Sequence, residues 1–184
     1  MTSNSGFQPK VLTIGHSTRP IETFIGMLQA YGVKRLADVR TIPKSRNNPQ
    51  FNRDVLTDSL RIAGISYMEM KDLGGLRHAR PDSANTGWRN ASFRGYADYM
   101  QTPEFEAALE RLIAAAKQET VAIMCAEAVP WRCHRSLIAD ALQIRGIPVG
   151  HIMSANRVQP HRLTSFAVVE GEKVFYPSSQ ASTS

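Results

Sequence analysis

Two short runs, Cys125-Ala126-Glu127 and Cys133-His134-Arg135-Ser136, concentrate thiol, carboxylate, imidazole, guanidinium and hydroxyl groups in one stretch of chain. The residues between them, Ala128-Val129-Pro130-Trp131-Arg132, connect an apolar strand pattern over Thr120–Ala126 to a helical pattern over Arg132–Arg145. On this reading Cys133 to Ser136 sit in the first turn of a helix. Free backbone N–H groups and the helix dipole favour an anion there. The same field lowers a thiol's pKa, and the neighbouring arginines add to both effects. Arg132, His134, Arg135 and Ser136 are therefore candidate anion ligands. Glu127 is a candidate base or nucleophile, and Cys125 and Cys133 are candidate nucleophiles. The plain alternative for Cys125 is a small buried core residue.

Two familiar chemistries fit this spacing badly. Cysteine phosphatases place an arginine six positions after the nucleophile, whereas Arg132 follows Cys125 by seven and position 131 is Trp. Glu127 would also put a carboxylate inside the phosphate cradle. As a metal site, Cys125, Glu127, Cys133 and His134 have suitable donor types but no zinc-finger or ribbon spacing. Adjacent Cys133 and His134 point about 100° apart on a helix, so a site would need a further ligand such as His16 or His161. No metal is assigned. A nicotinamide or flavin cofactor is not assigned either, because Gly15 is a lone strand-end glycine with no GxGxxG after it.

Other segments carry polar groups to places of the same kind. His16 ends the strand pattern Val11–His16 and is a candidate proton-transfer partner, or else a histidine that fixes a turn. Asp38 and Arg40 flank Val39 at the end of the Arg35–Arg40 strand pattern and share one face, as a ligand pair or a local ion pair. Arg40, Lys44, Arg46 and Arg53 lie in a turn-rich loop with Asn47, Asn48 and Phe51, a plausible phosphate-contacting surface or a solvated basic loop. His151 falls inside the last strand pattern and reads as a core histidine. His161 sits in a loop.

The elements that must position these groups alternate. Strand patterns at Val11–His16, Arg35–Arg40, Ser66–Met70, Thr120–Ala126 and Val149–Met153 are separated by helical patterns after Pro20, over Asp54–Ala63, over Ser92–Met100, after Thr102-Pro103 and over Arg132–Arg145. Such alternation predicts a single-domain, three-layer, Rossmann-like α/β fold with a largely parallel sheet. Ligands of such sheets bind beyond the carboxyl ends of the strands, where each of the candidate groups falls. The Thr41–Arg53 and Lys71–Asn90 segments are expected to flank that edge. Phe166–Tyr176 reads as a β-hairpin. The expected organisation is a flexible arm over 1–10, one α/β domain over 11–177 and a disordered tail over 178–184.

The composition is that of an ordinary globular chain: 184 residues, 42% hydrophobic and 21% charged. The formal net charge is +6, with 16 Arg against 6 Lys, a balance suited to phosphate or carboxylate recognition. No apolar run has the ~20 residues of a membrane span and no signal-peptide core is present, so the expectation is a cytoplasmic protein with no membrane partner. Its two cysteines are too few for a disulfide scaffold and are expected as thiols. The oligomeric state is not written in the sequence.

Several of these motifs occur in an order that resembles the domain-of-unknown-function 488 family. They are Ile14-Gly15-His16-Ser17; Asp38-Val39-Arg40 with Pro43 and Ser45; Leu73-Gly74-Gly75; Cys125-Ala126-Glu127; Cys133-His134-Arg135; His151-Ile152; and His161-Arg162-Leu163-Thr164. The resemblance extends from Lys10 to Ala167 and implies a Rossmann-like α/β domain of bacterial or archaeal origin, without an activity. Two classes of function remain. One is an enzyme acting on a nucleotide, nucleic acid or other phosphorylated substrate. The other is a non-catalytic module that binds a nucleotide or nucleic acid.

Overall fold

A computed structural model describes residues 6–179. Five α-helices and eight strands follow one another in the order β1 (Val11–Gly15), α1 (Ile21–Ala30), β2 (Arg35–Asp38), α2 (Arg53–Ile62), β3 (Ser66–Glu69), α3 (Ala91–Tyr99), α4 (Pro103–Gln118), β4 (Val121–Cys125), α5 (Arg135–Gln143), β5 (Val149–Ser154), β6 (Arg157–Pro160), β7 (Val168–Glu170) and β8 (Lys173–Phe175). Six strands form one sheet in the order β3-β2-β4-β1-β5-β6. The first five run parallel, and β6 returns antiparallel against β5. The expected hairpin is present as the separate two-stranded pair β7–β8.

Alternation along the strands sends successive side chains to opposite faces. Leu12, Ile14, Leu36, Ala122 and Met124 pack with Phe24 and Leu28 of α1 and Leu56 and Leu60 of α2. Val11, Ala37, Val39, Ile123 and Cys125 pack on the other face with Tyr96 of α3, Leu109 and Leu112 of α4, and Leu137 and Leu142 of α5. The result is three layers, α/β/α. β1 and β4 are buried at every position, as strands covered on both faces must be. Local chemistry sets the helix ends. The Asn90 side chain accepts from the Ser92 and Phe93 amides at the start of α3, and Thr102 Oγ1 accepts from the Phe105 amide at the start of α4. Gly64 and Gly146, both with φ +77°, let the chain turn sharply off α2 and α5 into the next strand.

Two expectations change. The helix expected from Arg132 begins three residues later. Pro130–Arg132 forms a single 3₁₀ turn and Cys133 is extended (φ −133°, ψ 146°), so Cys133 lies before the helix and His134 at its N-cap. Strand β6 has no counterpart among the expected elements. Its sequence, Arg-Val-Gln-Pro, is half polar and ends in proline, which a sheet tolerates at an edge. Of the expected arm, residues 1–5 lie outside the described residues, while Pro9 and Phe7 pass close to Gly150. Residues 180–184 of the expected tail also lie outside them. No helix is long and apolar enough to cross a membrane.

Candidate functional site

β1, β4 and β2 are neighbours, and their registers bring Gly15 level with Cys125 and Asp38 level with Met124. The residues just past these ends therefore share one rim. A cavity of about 530 Å³ opens there. His16, Arg40, Cys125, Glu127, Arg132, Cys133 and His134 line it, together with Thr41, Lys44 and Phe93. The two long loops flank it, contributing Thr41, Ile42, Lys44 and Ser45 on one side and Gly75, Leu76 and Asn90 on the other. Asp38, Arg135 and Ser136 stand behind the lining.

The β2 side of the cavity is built on a buried ion pair. Arg40 Nε donates to Asp38 Oδ1 at 2.9 Å and Arg40 Nη2 to Oδ2 at 2.7 Å. Tyr67 donates its hydroxyl to the same carboxylate at 2.6 Å. Arg40 Nη1 then points at His16 Nε2, 3.4 Å away. His16 Nδ1 lies 2.8 Å from the Ser17 carbonyl, which can only accept, so Nδ1 carries the proton and Nε2 the lone pair. The ring stacks on Phe51 with centroids 4.3 Å apart. Burial, aided by the Arg40 charge, holds the His16 pKa below its usual value. His16 is thus a neutral imidazole with an acceptor nitrogen at the cavity floor.

The α5 side is different. Arg135 is fully buried, and its guanidinium turns away from the helix start. It donates to the carbonyls of Glu127 and Ala128, to Cys125 Sγ at 2.7 Å and to Thr13 Oγ1 at 3.2 Å. Burial pushes its pKa down to about 10. The expectation that Arg135 holds an anion is corrected by this geometry: its donors are committed to the loop after β4. Ser136 likewise donates its hydroxyl to the Cys133 carbonyl at 2.9 Å instead of facing the cavity. Gly15 makes the loop's position possible, since a Cβ there would overlap the Glu127 carbonyl.

A chain of hydrogen bonds continues behind Arg135. Thr13 donates to His151 Nδ1 at 2.6 Å, His151 Nε2 to His161 Nδ1 at 2.8 Å, and His161 Nε2 to Asp140 Oδ1 at 2.7 Å. The direction follows from Asp140, whose carboxylate only accepts; it also accepts from the hydroxyls of Thr164 at 2.6 Å and Tyr176 at 2.8 Å. Burial drives His151 down to about 3, so this imidazole is neutral. His151 and His161, expected as a core residue and a loop residue, are consecutive links of this chain.

Cys125 and Cys133, expected as thiols, bring their sulfur atoms together, with Cα atoms 7.4 Å apart, farther than the backbone separation of a settled disulfide. The strand end and the extended residue before α5 bring them together. His134 Nε2 donates to the Val39 carbonyl at 2.8 Å, leaving Nδ1 as an acceptor 3.6 Å from Cys133 Sγ. Burial pushes the His134 pKa down to about 4. Gly75 lets the backbone pass this ring, because a Cβ there would stand 2.6 Å from Nδ1. Glu127, Arg132 and Lys44 are exposed at the mouth. Among the described residues none of these three side chains has an ion-pair partner.

The chain matches the family model described as "Domain of unknown function DUF488" over residues 20–142, about two thirds of its length. The chain belongs to the DUF488 family. Comparison with curated proteins and with solved structures finds no match. The DUF488 match spans β2, β4 and all but the last residue of α5, and so most of the cavity wall. His16 precedes it, and His151 and His161 follow it. Sequence reasoning missed Thr13, Asp140 and Tyr176, whose roles depend on neighbours distant in sequence. A signal for Asp140 existed: it is an acidic residue on the apolar stripe of α5, between Ala139 and Ala141.

Proposed function

We propose that the cavity binds a phosphate-bearing small molecule of nucleotide size and that the protein acts on it as an enzyme. One observation carries this reading. Two uncommitted basic side chains, Lys44 and Arg132, stand at the mouth of a 530 Å³ cavity whose floor holds Arg40 and a neutral histidine. Cavities of roughly 300–1,000 Å³ suit small ligands better than a polymer. Ile42, Leu76 and Phe93 give the walls apolar surface for the body of such a ligand. Lys44 and Arg132 would hold the phosphate, with Arg40 below. Glu127, with its carboxylate unpaired, would serve as base or nucleophile, and His16 Nε2 would take or return the proton. Carboxylate and imidazole chemistry of this kind needs no thiol.

The test is calorimetric titration with inorganic phosphate, nucleoside mono-, di- and triphosphates, and short single-stranded DNA and RNA, at low and physiological salt. A nucleotide is expected to bind, with affinity lowered by Arg132→Ala and by Lys44→Ala. Glu127→Gln is expected to keep binding and lose turnover of that ligand. Binding without turnover in the unaltered protein would favour the non-catalytic module. Tight binding of the oligonucleotides alone, with a steep salt dependence, would replace the small ligand by nucleic acid. Absence of any binding sinks the reading.

A further inference from the structure

We propose that Cys125 and Cys133 form a redox couple that exchanges electrons with low-molecular-weight disulfides entering through the cavity. Neither sulfur is asked to hold phosphate, so this inference stands apart from the anion reading. Both cysteines line the cavity, although they are only 3% and 6% exposed, so their access is from that side. They stand at the two ends of the connection between β4 and α5 and are the two cysteines of the whole chain. A pair serving only as a staple would tie distant parts of a chain together. This one closes eight residues of separation in a loop that Arg135 already fixes by hydrogen bonds.

The surroundings of the two sulfurs differ in a way that assigns them different roles. Cys125 Sγ receives Arg135 Nη1 at 2.7 Å, a buried cation that favours the thiolate over the thiol. Cys133 Sγ faces His134 Nδ1, whose lone pair can accept a thiol hydrogen. In the reduced protein, therefore, Cys125 is the nucleophile and Cys133 the resolving thiol. The Cys125 thiolate attacks one sulfur of RS–SR′, forming Cys125–S–SR′ and releasing RS⁻, which takes a proton from solvent. Cys133 then attacks the Cys125 sulfur. Its proton passes through His134 Nδ1 to the departing R′S⁻. The sum is protein dithiol plus RS–SR′ giving protein disulfide plus RSH and R′SH. The protein is oxidised by two electrons and the small disulfide reduced by two.

Oxidised glutathione is the probe. The full-length reduced protein is exposed to it, quenched at intervals with a maleimide, and weighed and mapped by mass spectrometry. The expected course is joint loss of both thiols, with an early glutathione adduct located on Cys125. Cys133→Ser is expected to accumulate that adduct, while Cys125→Ser forms an adduct on Cys133 at least about tenfold more slowly. Persistence of both thiols in excess oxidised glutathione would overturn the proposal, and so would an early adduct on Cys133. Should either serine variant fail to fold, the mapped time course of the unaltered protein decides between these outcomes by itself.

Discussion

Arg40 and Arg135 are both buried at the carboxyl edge of the sheet, yet they are balanced in different ways. Arg40 meets its counter-charge directly, in a two-point pair with Asp38. Arg135 touches no carboxylate with its guanidinium; it meets carbonyls, a sulfur and a hydroxyl. The carboxylate whose charge acts on it is Glu127, on the loop it holds, while the buried Asp140 lies at the far end of Thr13, His151 and His161. A direct pair neutralises charge on the spot. A chain of neutral donors and acceptors links Arg135 to Asp140 across β1, β5 and α5 without bringing a carboxylate into contact, and leaves the cation's field acting on whatever lies nearest to it. Here that is Cys125 and the loop carrying Glu127. The β2 side thus orients a histidine, and the α5 side fixes a loop and polarises a thiol.

The largest effect expected from this contrast is at the direct pair. Arg40→Met removes the cation and leaves Asp38 buried with only Tyr67 and the backbone amide of residue 40 as donors. Breaking a buried pair in this way costs about 3–5 kcal/mol. Urea unfolding of the variant beside the unaltered protein reads the loss, and a cost under about 1 kcal/mol would show that Asp38 is not the isolated buried charge supposed here. Arg135→Met is expected to cost less, about 2–3 kcal/mol, because it strands the Glu127 and Ala128 carbonyls but no contacting carboxylate, and the Thr13 hydroxyl keeps its bond to His151. Combining it with Asp140→Asn tests the relay. The two changes should couple by at least about 0.5 kcal/mol, whereas simple addition would mean that the two ends do not sense each other.

The smallest effect is conditional on acidity. His134 titrates in the folded protein near 4, below its ordinary 6.5. The unfolded chain therefore takes up the proton first. The stability this histidine contributes is complete above pH 6.5 and is lost as pH falls through about 4. His134→Gln is expected to flatten the decline of the urea midpoint between pH 6.5 and 4.5, since a glutamine does not titrate. An unchanged slope would place the acid sensitivity elsewhere.

Much of the architecture was legible because buried parallel strands and amphipathic helices announce themselves over short windows. Val121–Cys125 is a continuous apolar run, Val11–Gly15 is one broken only by Thr13, and Pro103 after Thr102 marks a helix start. The cavity's position followed from the strand-end rule, which is why His16, Arg40, Cys125 and Glu127 could be named together. The orientation of Arg135 was not legible. A residue at a helix start can turn toward solvent or back under the sheet. The outcome depended on Thr13 and the Ala128 carbonyl, neither of which sequence spacing relates to it. β6 was hidden because an edge strand need not be apolar on either face.

The strand order has a consequence for the way this chain comes into being. β1 is made well before its partners in the sheet, β4 and β5: Val11 pairs with Val121 and with Val149. The middle of the sheet therefore stays open until β5 has been made. Asp140 waits longer still, for Tyr176. Pairings so distant along the chain fold slowly and leave apolar strands exposed meanwhile. During synthesis the nascent chain carries the sequence Val-Leu-Thr-Ile-Gly without its sheet partners until β4 and β5 have followed it.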